Sequence, residues 1–280
     1  MSAASNPAPD EDFHRGLAAL NFDLHNQDDT APEIDYYQRI VERHPGPALD
    51  VGCGTGRLLR HYLKQGLDVD GCDISPDLLT ICRRRAESEG LSPNLYRQSM
   101  ADLDLPRRYD TIFVCGAFGL NGTRADDLEA LRRFHHHMND GGTLALDIEA
   151  GWSLQEVWTL CAQRNAQLPT PWTNKGWKAT PEGDKLWGQR RILAVDPLEQ
   201  SGVLEVRNEL ERGGETVASE LHVLVERWYG KHEVIGMLEA AGFHEWWWKV
   251  ITRPWKSRRI MRCRSISQAS NRAAFEERAA

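Results

Sequence analysis

Nine consecutive residues, Ala48-Leu49-Asp50-Val51-Gly52-Cys53-Gly54-Thr55-Gly56, pass from an apolar segment into glycine at every second position, and Asp73 closes the next apolar segment. An apolar strand entering such a turn, with a helix beyond it, brings bare backbone against a ligand and aims helix N–H groups at it. A carboxylate at the end of the following strand stands where it can hold both hydroxyls of a ribose. The spacing is Gly-x-Gly-x-Gly, and Arg57 stands where a dinucleotide fingerprint requires its last glycine. Asp50 would repel phosphates and attract an ammonium or sulfonium. Together these residues describe a site for a nucleoside with a cationic amino end.

This run resembles motif I of the class I S-adenosylmethionine-dependent methyltransferases, and the resemblance extends from Ala48 to Ile148 and more loosely to the C-terminus. It implies S-adenosylmethionine as cofactor, its methionine and ribose cradled by Asp50, Gly52, Cys53, Gly54 and Gly56, with Asp73, followed by Ile74, on the ribose hydroxyls. The family's adenine motif falls on Gln98-Ser99-Met100-Ala101-Asp102. There Ser99, Met100 and Ala101 are the implied contacts, and the adenine amino group is left to either Ser99 or Asp102. Cys115-Gly116-Ala117-Phe118-Gly119 occupies the loop that closes over the adenosine and faces the acceptor, Cys115 on the cofactor side and Phe118 on the acceptor side.

The elements that must position these groups alternate. A helix over 34–43 ends at His44-Pro45-Gly46-Pro47 and delivers the first strand. Helices over 55–65, 76–89 and 125–138 separate strands at 67–73, 94–97, 111–114 and 143–148, with Asp140-Gly141-Gly142 as the last turn. Strands alternating with helices imply an α/β fold, a parallel sheet with helices on both faces. The resemblance sharpens this to a Rossmann-like seven-stranded methyltransferase sheet with an antiparallel β insert after strand five. After Glu149, period-two segments at about 186–195, 203–211 and 216–228 read as that antiparallel meander, with Gly213-Gly214 as a turn. A helix over 231–241 and strands at 243–250 and 258–265 complete the core. The expected organisation is an arm or lid (1–33), a cofactor-binding core (34–149), an insert over the substrate site (150–229), the last helix and strands (230–266) and a tail (267–280).

An insert leaving strand five can roof a ligand held beyond the carboxyl ends of the strands. Trp152, with Trp158, Trp172, Trp177 and Trp187, would offer it flat apolar surface, and Phe22 and Tyr36 of the N-terminal region are further acceptor-pocket candidates. A sulfonium already activates its methyl group, so the protein mainly aligns a nucleophile and excludes water. Candidate bases are Asp147 and Glu149 at the end of strand five, and His222 on the meander. His135-His136-His137 points in three directions on a helix and cannot converge on one ion.

Fourth-strand residues Phe113-Val114-Cys115-Gly116 lack the acid of metal-dependent catechol-type relatives and the Pro-Pro loop of exocyclic-amine nucleic-acid methylases, and Cys115 follows Val114 rather than proline. What remains resembles the glycine and amino-sugar N-methyltransferases, which implies metal-free methyl transfer to a small-molecule amine or hydroxyl. An S-adenosylmethionine-binding protein without transfer, or a nicotinamide-dependent oxidoreductase, are the other readings. The net charge of −7 over 280 residues argues against a nucleic-acid partner, despite the basic run Arg253 to Arg264. Absence of a long apolar run predicts no membrane association and a cytoplasmic location, and six scattered cysteines predict free thiols. A homodimer is compatible with the chain.

Overall fold

Strands β1 (Ala48–Val51), β2 (Val69–Asp73) and β4 (Tyr109–Val114) are buried almost throughout because both of their faces are covered. The structure, a computed structural model, describes residues 13–27, 32–149, 159–160, 167–252 and 257–265. The central sheet also takes in β3 (Leu95–Arg97), β5 (Met138–Glu149), β10 (Phe243–Thr252) and β11 (Ser257–Ser265), in the order β10-β11-β5-β4-β1-β2-β3. The run from β3 to β5 is parallel, and β11 and β10 add to it antiparallel.

Alternation along these strands feeds two apolar cores. Phe113 and Ala145 meet α2 (Pro32–Arg43), α3 (Arg57–Lys64) and Cys82 of α4 (Pro76–Ser88); Ile112, Val114, Leu144 and Leu146 meet α5 (Arg124–His136) and α6 (Lys231–Ala240). Ser75 caps α4 with its side chain, and Thr123 and Asp126 form a capping box on α5. The turn expected at Asp140-Gly141-Gly142 is instead a bulge within β5, whose pairing with β4 jumps from Met138 to Thr143 while Gly141 takes φ +77°. The histidine run is structural. His137 is buried, accepting the Leu105 N–H at Nε2 and facing the Arg133 carbonyl at Nδ1, and His135 packs on Phe243.

A second, four-stranded antiparallel sheet has the order β6 (Thr173–Ala179), β7 (Lys185–Asp196), β8 (Ser201–Arg212) and β9 (Glu215–Arg227). Its last three strands lie where the alternation predicted them; β6, interrupted by Gly176, was not foreseen. The loop after β4 is stitched to β9 by the Asn121 N–H to the Val225 carbonyl, the Arg227 N–H to the Gly119 carbonyl and the Val225 N–H to Asn121 Oδ1 (each 2.8 Å). Helix α1 (Gly16–His25), also not foreseen as a helix, packs against the second sheet and α4. The Leu17 N–H donates to Glu220 of β9 (2.7 Å), Asn21 to Asn208 of β8 (2.6 Å), the Gly16 N–H to Asp77 of α4 (2.8 Å), and Arg85 pairs with Asp23 (2.8 Å).

Candidate active site

Strand order reverses between β1 and β4, and there, beyond the carboxyl ends of the parallel strands, lies a cavity of about 680 Å³. Gly52 and Gly54 form its floor with φ of +69° and +56°, a region that L side chains rarely adopt. Each also permits a close approach. A Cβ on Gly52 would lie 2.5 Å from Ala117 Cβ, and one on Gly54 would lie 3.0 Å from the Phe22 ring. The floor is thereby pressed between the loop after β4 and helix α1.

Asp73 is buried at the end of β2, accepting the Gly54 N–H at Oδ2 (2.8 Å) and the Ser75 N–H at Oδ1 (2.9 Å). Both of its oxygens thus accept from backbone N–H groups at the edge of the cavity. Asp50 is buried beside it. Burial first, then the charge of Asp73, pushes its carboxyl up to about 8, against the pull of Arg57 and the Leu59 N–H. Arg57 is itself held by Glu33 at 2.9 Å. With Asp102, Asp126 and Asp127 also on the wall, carboxylates outnumber the cationic Arg57 there. Opposite the floor, Ile74, Ser99, Met100 and Ala101 form one side, where Ser99 Oγ accepts the Ala101 N–H (3.3 Å) and caps a short turn over Met100–Asp102.

The rest of the wall comes from Phe13, His14, Phe22 and Asn26 of the N-terminal arm, the loop around Ala117 and Asn121, and Leu224 of β9. His14 is wedged edge-on between Phe13 (4.8 Å) and Phe22 (4.7 Å), and its carbonyl accepts from Ser75 Oγ. Burial first, then the charge of His222, pushes its imidazole down to about 4, so it is neutral at ordinary pH.

Residues 48–142 match the family model described as a methyltransferase domain. That stretch is a methyltransferase domain. The chain is 30% identical over 157 residues to dTDP-3-amino-3,6-dideoxy-alpha-D-glucopyranose N,N-dimethyltransferase of Streptomyces fradiae, covering 52% of this chain and 58% of that one. It is 29% identical over 143 residues to malonyl-[acyl-carrier protein] O-methyltransferase of Pseudescherichia vulneris, covering 51% and 54%. The chain thus spans about half the length of the curated relatives it matches. In fold it is similar to the sugar N-methyltransferase KedS8 of Streptoalloteichus (TM-score 0.65, 20% identity, 95% of this chain and 99% of that one). The S-adenosylmethionine-bound amino pentose methyltransferase CalS10 of Micromonospora echinaspora is similar as well (TM-score 0.61, 18% identity, 91% and 100%).

Several residues expected at the site of this methyltransferase domain stand elsewhere. Gly56, at φ +78°, serves packing, since a Cβ there would fall 2.4 Å from Cys82 Sγ. Asp147 is buried behind the wall and accepts the Gly116 N–H (2.5 Å), so it braces the loop after β4 rather than facing the cavity. His222 lies outside the lining, beside Glu220 (3.4 Å) and the Phe13 ring (5.8 Å). Tyr36 packs on Tyr37 and Phe118 on Tyr229, both within the cores, because an aromatic stripe fits a helix against a sheet as readily as a pocket. Trp172, between the guanidinium groups of Arg191 (4.6 Å) and Arg207 (4.5 Å), and Trp187, bonded to Glu211, point away from the α1-covered face. Trp152 and Trp158 fall outside the described residues, as does the Glu149 side chain. Among the residues the sequence reading missed, His14 and Asn26 carry no motif, and Asp126 is indistinguishable in sequence from an ordinary helix cap.

Proposed function

We propose that this chain binds S-adenosylmethionine over the Gly52–Thr55 turn and transfers its methyl group to an amine or hydroxyl of a small organic acceptor. The observation that carries this reading is the pairing of the two glycines, closed on both sides, with two buried carboxylates at the ends of adjacent strands. That donor set suits a ribose and a cationic amino end. The cofactor, when bound, supplies a methyl carbon already activated by the sulfonium. Asp73 would hold the ribose hydroxyls, Asp50 the cationic end, and Ser99 to Asp102 the adenine edge, with Ile74, Cys53 and Cys115 as contacts.

The remaining work is orientation and exclusion of water, worth roughly 7 to 11 kcal/mol in favourable cases. Phe13, Phe22, Ala117 and Leu224 would supply the dry wall, and the neutral His14 a hydrogen-bond acceptor for the N–H or O–H of the nucleophile. Residues 150–229 would act as an insert whose β9 edge closes the acceptor end, and residues 1–33 as the arm closing the other. An amino-sugar acceptor is favoured by the activities named for the Streptomyces and Streptoalloteichus relatives and by the acidic wall.

Calorimetric titration with S-adenosylmethionine and S-adenosylhomocysteine tests the cofactor site, and an Asp73→Asn variant should lose both. A product one methyl group heavier, from a panel of amino sugars and phenols, tests transfer. Absence of binding by both ligands would end this reading, and binding without any methylated product would favour a non-catalytic cofactor-binding role.

A further inference from the structure

A corner joins the second sheet to the parallel core, where residues 119–122 of the loop after β4 lie along residues 225–227 of β9. The Arg227 N–H donates to the Gly119 carbonyl (2.8 Å), its Nε to the Gly122 carbonyl (2.8 Å), and Leu120 bridges Glu226. The approach is close, since a Cβ on Gly119, at φ +84°, would lie 2.9 Å from the Arg227 carbonyl oxygen. Asn121 makes the pairing two-sided. Its N–H donates to the Val225 carbonyl and its Oδ1 accepts the Val225 N–H, each at 2.8 Å, so a side-chain amide stands where an antiparallel pair has a backbone carbonyl. Of the described non-glycine residues at positive φ, Asn121, Gln200 and Glu245, only Asn121 lines the cavity. Strain of this kind persists where its surroundings over-determine it, and it gathers at functional sites.

What hangs on that corner is the far wall of the cavity. Leu224, next to Val225 on β9, lines the cavity directly. Further along the same strand face His222 packs on the Phe13 ring (5.8 Å) and Glu220 accepts the Leu17 N–H (2.7 Å), which seats the arm that carries Phe13, His14 and Phe22. We propose that Asn121 is a positioning residue: it registers the wall made by β9 and α1 against the glycine floor, and so sets the gap in which an acceptor meets the methyl group. This rests on the function proposed above. The nucleophile has to lie about 3–3.5 Å from the methyl carbon and in line with it, and a displacement of about 1 Å costs roughly 100-fold in rate. Asp73, in contrast, is held by the Gly54 and Ser75 N–H groups, both within the parallel core. Loosening the corner therefore acts on acceptor turnover more than on cofactor affinity.

The test compares the whole wild-type chain with Asn121→Gly, which relieves the strain but loses the side-chain bond, and with Asn121→Asp, which keeps an oxygen for the Val225 N–H. In hydrogen exchange, Asn121→Gly should quicken β9 and α1 roughly three- to tenfold, the worth of one hydrogen bond, and leave β1 and β2 as they are. With whichever amino sugar or phenol of the panel the wild type methylates, it should lower kcat/KM roughly 10- to 100-fold per cofactor-binding site counted by calorimetry, while S-adenosylhomocysteine affinity stays within about threefold. Asn121→Asp should restore most of both. A merely structural role would reduce the number of binding sites and leave kcat/KM per site unchanged, and that result would overturn the proposal. Faster exchange confined to the loop after β4 would overturn it too, with the cofactor site left standing. Failure of the wild type to bind either cofactor ligand would remove the proposed function and this inference together. Where no compound of the panel is methylated, the exchange pattern alone decides.

Discussion

Gly52→Ala is the most informative substitution in the glycine turn, because two separate costs can be read from the structure and then pulled apart. At φ +69° an L side chain costs roughly 1–2 kcal/mol. The new Cβ would sit 2.5 Å from Ala117 Cβ, where ordinary contact begins at 3.4 Å, so the turn and the loop after β4 must separate by about 1 Å. Overpacking of that kind costs roughly 1–3 kcal/mol, giving a total of about 2–5 kcal/mol, a large share of the usual 5–15 kcal/mol of domain stability. Ala117→Gly in the same chain removes the clash but leaves the backbone strain. Urea unfolding of the wild type, both single variants and the double variant should give a favourable coupling of about 1–3 kcal/mol. A coupling near zero, or a Gly52→Ala cost under about 1 kcal/mol, would refute the claim that these two backbones are pressed together.

Asp50 should make the ligand-free protein less stable as pH rises. Between its unfolded value of 3.8 and its folded value of about 8, the native state keeps a proton that the unfolded chain releases, so stability falls by up to about 1.4 kcal/mol per pH unit. Asp50→Asn should abolish that slope in urea unfolding. His14 works in the opposite sense. Its folded value of about 4 lies below the 6.5 of the free group, so stability should fall as pH drops between those values, and His14→Gln should remove that loss. Asn121 accepts the Val225 N–H at φ +57°, so Asn121→Ala loses the bond and worsens the strain whereas Asn121→Gly loses only the bond; thermal unfolding should place the glycine variant about 1 kcal/mol above the alanine one.

The floor of the site was legible because its chemistry constrains sequence locally. A turn with positive φ needs glycine, a strand covered on both faces needs an apolar run, and an acid at a strand end leaves a single conspicuous letter at Asp73. The far wall left no such trace. Helix α1 is placed by contacts with Asp77, Asn208 and Glu220, which its own residues do not announce. Asp147 has the right type and strand position for a base, yet its role was decided by the Gly116 N–H across a loop. Tyr36 and Phe118 show the same ambiguity for aromatics, since burial in a core and exposure to a pocket ask for the same side chain.

The placement of α1 also bears on how the chain comes to be assembled during synthesis. Leu17 is bonded to a residue 203 positions later and Asn21 to one 187 positions later. The ribosome releases residues 16–25 before most of the parallel sheet exists, and they wait while β1 to β5 emerge and begin to pair, since domains form as their sequence becomes available. Only when β8 and β9 have been translated can the helix settle. One wall of the cavity is therefore made of the earliest-translated described residues and finds its place against strands translated nearly two hundred residues later, so a nascent chain halted before β8 would carry the glycine turn with that side of the cavity still open.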